Sequence, residues 1–225
     1  MVLAAAGSAS PDADAALARL CEQYWYPLYG YLRGHGYAPD RAQDFTQAFF
    51  EQLLERRTLR HANPERGRFR SFLLASLKNF IANEQARTHA IKRGGGATLL
   101  PLEFDAAEGR FQHEPRTSDT PEKLFDRRWA ITLLDRVTTR LRNDLVQAGK
   151  EHQFEHLKGY LTGDASGTYA QVGAELGVSE GAVKVAVHRL RRQFRDLLRH
   201  EIAQTVPAAD EIDDEIRHLW TAVAR

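Results

Sequence analysis

Cysteine occurs once in these 225 residues, at Cys21, so no intrachain disulfide framework is open to the chain and a reducing compartment suits it. Cys21 lies among apolar helical positions and reads as a core residue. Net charge is almost lacking as well. Lys and Arg number 31 against 30 Asp and Glu, leaving +1, so the surface is not uniformly basic and any nucleic-acid contact must come from segregated charge. The N-terminus, MVLAAAGSASPDADA, has neither a positive leading segment nor a long apolar run. It is expected to be a disordered lead-in over 1–14, with no signal peptide or membrane span, on a cytoplasmic protein. Strand-like alternation is nearly missing and no fixed-period repeat occurs, which leaves an all-α fold as the expectation.

What is present is helical periodicity. Leu17, Leu20, Tyr24, Leu28 and Tyr31 form a first apolar stripe, in which Pro27 should bend or divide the helix. After a turn over 34–39, a second helix starts at Asp40 and buries Ala42, Phe45, Phe49 and Leu53, with Phe50 and Leu54 beside them. Its opposite side carries an acidic stripe of Asp40, Asp44, Gln47, Glu51 and Glu55. The stretch RHANPERGRFR then breaks the helix through Pro64 and Gly67 and concentrates Arg60, Arg66, Arg68 and Arg70. A third helix, about 69–87, buries Phe72, Leu73, Leu77, Phe80 and Ile81. Three glycines at 94–96, then Pro101 and Pro115, mark a linker. The expected organisation is a helical domain over 15–95, a flexible linker over 96–120, a second helical domain over 121–200 and an amphipathic extension over 201–225.

The second domain opens with Thr120 as cap, Pro121 at the first helical position and Glu122 near the positive helix end. Ala130, Leu134, Val137, Leu141, Leu145 and Ala148 form its long stripe, and Phe154, Leu157 and Leu161 another. Residues 167–200 then pose a sharper pattern. Thr168 and Gln171 have capping-box spacing, Gly177 suits a left-handed helix end and Ser179 suits the next N-cap. The helix that follows buries Val183, Val187, Leu190, Phe194 and Leu197 or Leu198, while Lys184, His188, Arg191, Arg195 and Arg199 run beside them with Arg189 and Arg192. A short helix, a glycine turn and a basic helix read as a DNA-binding helix-turn-helix with its recognition helix second.

Taken in order, DRAQDFTQAFFEQLL, RGRFRSFLLASLKNFIANEQAR and TYAQVGAELGVSEGAVKVAVHRLRRQFRDLL resemble the polymerase-binding part of region two, its promoter-melting and downstream-element parts, and region four of a bacterial sigma factor. The resemblance is to the extracytoplasmic-function (ECF) type of the sigma-70 family, which keeps only regions two and four, and it covers about 15–95 and 121–200. It implies two small helical domains, one like the region-two bundle and one like the region-four helix-turn-helix. Core RNA polymerase and promoter DNA are the implied partners, the implied activity is transcription initiation without covalent chemistry, and no cofactor or metal is expected.

The resemblance further implies roles for residues. Asp40, Asp44, Gln47, Phe50 and Glu51 would bind the polymerase. His61, Arg66, Arg68, Phe69, Arg70, Lys78, Asn79, Asn83 and Arg87 would handle the downstream element and melting, although Asn83 stands where many relatives carry an acid. Ser179, Glu180, Lys184, His188, Arg189, Arg191, Arg192 and Arg195 would meet the upstream element. The tail after 200 would fold back on the second domain or dock a regulatory protein such as an anti-sigma factor.

Two other readings remain open. The second domain alone would serve a stand-alone helix-turn-helix regulator. HQFEH, at 152–156, fits the H-x-x-E-H pattern of a zinc hydrolase, with His152 and His156 one turn apart and Glu155 as base.

Overall fold

In the computed structural model, which describes residues 11–55, 68–88, 102–114, 117–165 and 167–224, the chain is all-helical, with no strand among the described residues. The helices are α1 (Pro11–Gly34), α2 (Pro39–Glu55), α3 (Phe69–Thr88), α4 (Phe104–His113), α5 (Pro121–Gln147), α6 (Glu151–Leu157), α7 (Gly159–Thr162), α8 (Tyr169–Leu176), α9 (Glu180–Ala203) and α10 (Ile212–Val223), the last preceded by a 3-10 turn, Ala209–Glu211. They divide between two compact units, residues 1–132 with 202–225, and residues 133–201.

The first unit is built on α1, against which α2, α3 and α4 pack. Pro27 lies inside α1 without dividing it. Tyr24, Leu28, Tyr29, Tyr31 and Leu32 of α1 are buried among Phe45, Phe49 and Phe50 of α2, Leu73, Leu77 and Phe80 of α3, and Phe125 and Trp129 of α5. Edge-on aromatic pairs knit them, Phe80 meeting both Phe45 and Phe49. Cys21 is part of this core, and burial, aided by the neighbouring Glu22 charge, pushes its thiol up to about 12. A thiol so rarely ionised is a packing group and not a nucleophile.

Part of the span expected as a linker is helical. In α4, Phe104 and Ala107 are buried, and Phe104 packs on Trp25 and Tyr29 of α1. Glu108 accepts hydrogen bonds from Arg33 at 2.8 Å and from the Tyr29 hydroxyl. The Arg33 guanidinium holds the Glu108 carboxyl down at about 2. A carboxylate lowered on folding stabilises the fold fully above its ordinary range near 4.5 and loses that contribution as pH falls toward 2. Thermal midpoints measured from pH 5 to pH 2 are therefore expected to fall more steeply in the native protein than in Glu108→Gln. Parallel acid limbs would show that this pair contributes nothing.

The second unit encloses a smaller core of Leu141, Phe154, Leu157, Val172, Val183, Val187 and Leu190, flanked by half-buried Leu145, Leu161 and Phe194. These residues come from α5, α6, α7, α8 and α9.

Candidate nucleic-acid interface

The helix-turn-helix is assembled by local chemistry. Thr168 Oγ1 accepts from the Gln171 amide while the Gln171 side chain accepts from the Thr168 amide, so α8 begins with a complete capping box. At its other end Gly177 has φ of +67°, and the amides of Gly177 and Val178 bond back to Ala174 and Gly173. This is the Schellman closure, which satisfies carbonyls that a helix end leaves open. Ser179 Oγ then accepts from the Ala182 amide and starts α9. The turn is thus closed by hydrogen bonds from both helices, and the direction of α9 relative to α8 is fixed.

Burial divides α9 lengthwise. Val183, Val187, Leu190 and Leu198 face the core, whereas Ser179, Glu180, Lys184, His188, Arg189, Arg191, Arg192 and Arg195 are exposed. The structure brings all eight expected upstream-element residues onto one continuous helix and its cap, but they are not equivalent. Arg191 donates through Nε and Nη2 to the Tyr160 carbonyl at 3.1 and 2.9 Å, so its guanidinium closes the end of α7. Lys184 pairs with Glu180 at 2.6 Å and lies over the Tyr169 ring. Arg192 reaches Asp196 only at 3.9 Å, with both side chains largely in solvent. Arg191 is accordingly a positioning residue, and Arg192 and Arg195 are better placed to reach a polyanion.

In the first unit the expected sites separate into exposed and enclosed groups. Asp40 and Asp44 are exposed and Gln47 and Glu51 half-buried along one side of α2, as the stripe requires. Phe50 is different: it is only 1% exposed, because the adjacent Phe49 and Phe50 both fall within the apolar sector of α2, and the core takes both rings. It is a packing residue. Glu55 lies at the end of α2, with its side chain outside the described residues.

The arginine segment is corrected more strongly. His61, Arg66 and the Arg87 side chain lie outside the described residues. Phe69, 4% exposed, packs edge-on against Tyr24 and stacks on Phe72. Arg70 is 7% exposed, bonded to Glu215 and Asp126, with its guanidinium carbon 5.1 Å from the Trp129 ring centre. Arg68 also pairs with Glu215, at 2.9 Å. An aromatic ring and a guanidinium so enclosed are not surfaces for an extruded base. Lys78, Asn79 and Asn83 are exposed on α3, Lys78 held by Glu122 at 2.8 Å.

The carboxylate that captures the arginines escaped the sequence reading. Glu215 sits on α10 beside buried Ile212 and Leu219, and an acid on the apolar side of an amphipathic helix is the signal that a cation must meet it. The tail therefore packs within the first unit, where His218 also approaches Asp126. Val185 was missed too. It is 50% exposed in the middle of the basic face, an apolar side chain two residues from the stripe that α9 buries.

The stretch HQFEH occupies α6. His152 and His156 lie with ring centres 4.4 Å apart and planes tilted by 51°, and His156 lies 3.6 Å from Glu175. Glu155 is held by Lys158 and Arg142, which keep its carboxyl below the usual range, the wrong direction for a general base near neutrality. Among the described residues no three His, Cys, Asp or Glu side chains are grouped to hold a metal. No family model matches the chain, and no curated protein or solved structure matches it.

Proposed function

We propose that this chain is a sigma factor of the ECF type, which binds core RNA polymerase and directs it to promoters, with no covalent chemistry of its own. In this reading it has a region-two-like domain, a linker and a region-four-like domain. The observation that carries it is the closed helix-turn-helix whose second helix bears six Lys or Arg and one acid over residues 184–199. Segregation of that kind in a chain of net charge +1 suits a polyanion. The acidic side of α2 supplies a separate surface for a basic partner, through Asp40, Asp44, Gln47 and Glu51. Strand separation is assigned to His61, Arg66, Arg68, Lys78, Asn79, Asn83 and Arg87, since Phe69 and Arg70 are committed to the core. A regulatory protein such as an anti-sigma factor is a further partner in this reading.

The enclosure of Phe50, Phe69 and Arg70 favours a second reading, a helix-turn-helix regulator that acts without polymerase. Reconstituted transcription separates the two. Core enzyme with this chain is expected to initiate from a subset of genomic promoters. DNA binding without either core affinity or initiation would leave the regulator. In the same assay Arg192→Ala with Arg195→Ala is expected to flatten the salt dependence of promoter binding by about 1.8 in log slope, roughly 0.9 for each lost phosphate contact. An unchanged slope removes both arginines from the interface. Arg191→Ala is expected to lower stability and leave the slope near that of the native chain.

A further inference from the structure

The exposed side of α9 is not basic throughout. Its first two turns present Gly181, Ala182 and Val185 to solvent, with Lys184 and His188 along one flank and Arg189 on the other side of Val185. Val185 follows Val183 by two residues, so it lies roughly 200° round the helix from the buried stripe. That is the line farthest from the core, and half of the residue remains in water.

Nothing internal to the fold asks for these residues. A β-branched side chain is a poorer helix former than the Lys and Arg that fill the rest of this face, and it leaves apolar surface hydrated. At Gly181 an added Cβ would approach only the Ser179 hydroxyl, at 3.9 Å, so the fold has room for a side chain there. Glycine in a helix costs about 0.5–1 kcal/mol relative to alanine, yet this one is not demanded by packing. Small residues followed by one compact apolar residue, with cations at the margins, suit a helix that approaches closely a surface carrying both methyl groups and phosphates. The major groove is such a surface: thymine projects its C5 methyl there and phosphates line the rims.

Resting on the DNA-binding reading above, we infer that Val185 is a specificity residue that seats on the C5 methyl of a thymine in the major groove. Gly181 and Ala182 let the helix backbone come near enough for that contact. Lys184, His188 and Arg189 then meet neighbouring base edges or sugar-phosphate groups, so the valine selects one base within a frame that the cations position.

The test is selection of duplexes from a random library by the full chain, alone and with core polymerase, followed by deoxyuridine substitution at each thymine of the winning site. The native chain is expected to lose about fourfold in affinity at one or two positions, the value of one buried methyl. Val185→Ala, which is a better helix former and folds normally, is expected to bind thymine and deoxyuridine duplexes alike there, at the native chain's deoxyuridine level. Val185→Ile is expected to keep the discrimination. Indifference of the native chain to deoxyuridine at every position, or undiminished discrimination by Val185→Ala, overturns the assignment while leaving DNA binding intact. Failure to enrich any duplex in either format overturns the DNA reading along with it.

Discussion

Glu215→Ala is expected to cost the first unit about 3–5 kcal/mol, a large part of the stability of an ordinary domain. Glu215 is 1% exposed, accepts from Arg70 Nε at 2.7 Å and is ion-paired with Arg68 Nε at 2.9 Å. Removing it leaves Arg70, itself buried beneath the Trp129 ring, with Asp126 as its remaining carboxylate. That carboxylate is partly exposed, and a buried guanidinium stripped of its better-enclosed partner costs far more than the pair contributes when intact. The same reasoning makes the combined replacement Arg70→Met with Glu215→Leu much milder. It removes both charges from the interior, whereas Arg68 and Asp126 keep about a quarter of their side-chain surface in water. Denaturant unfolding of the three proteins checks this. A Glu215→Ala protein within 1 kcal/mol of native would place α10 outside the core, and a simultaneous rise in promoter opening would make it a restraint on Arg68 and Arg70.

That network explains where the sequence could be followed and where it could not. Periodicity located α2, α3 and α9 because each carries a stripe long enough to repeat, while the eight-residue α8 was legible through the Thr168 and Gly177 signals at its ends, with Ser179 beyond, because a cap acts within a few residues of itself. Arg70 and Glu215 meet across 145 positions, and no local window connects them. Arg70 consequently looked like one more solvated cation in a charged segment. Helix α4 was hidden differently: Phe104, Ala107 and Phe111 do recur at helical spacing, but ten residues give too few turns to outweigh the glycines and prolines around them. Arg191 belonged to a row of cations, and only the chain path that brings the Tyr160 carbonyl beside it distinguishes it from Arg192. Periodicity puts Phe50 beside Phe49 on the buried side and only the resemblance gives it a docking role; both adjacent rings are buried because the apolar sector of α2 is wide enough for two.

The second large effect is expected at Gly173. This glycine is buried in α8, and a Cβ placed on it would lie 2.8 Å from the Val178 carbonyl oxygen and 3.4 Å from the Glu180 amide. Both are backbone atoms, one in the turn and one at the start of α9, so no side-chain rotation relieves the contact. The Val178 amide also donates to the Gly173 carbonyl at 2.8 Å, which means the turn is held against the very position that would have to give way. Gly173→Val is expected to destabilise the second unit by about 3 kcal/mol, the upper end for overpacking, and, on the proposed function, to weaken DNA binding at least tenfold by displacing α9 from α8. Gly177→Ala supplies the contrast. Nothing lies within 4 Å of a Cβ there, and the only obstacle is φ of +67°, worth about 1–2 kcal/mol for an L residue in the left-handed region. That protein is expected to melt earlier and, while folded, to bind the same duplexes with near-native affinity. If Gly173→Val unfolds and binds like the native chain, the two helices are not in van der Waals contact through the turn, and α9 lacks the fixed direction that the proposed function requires of it.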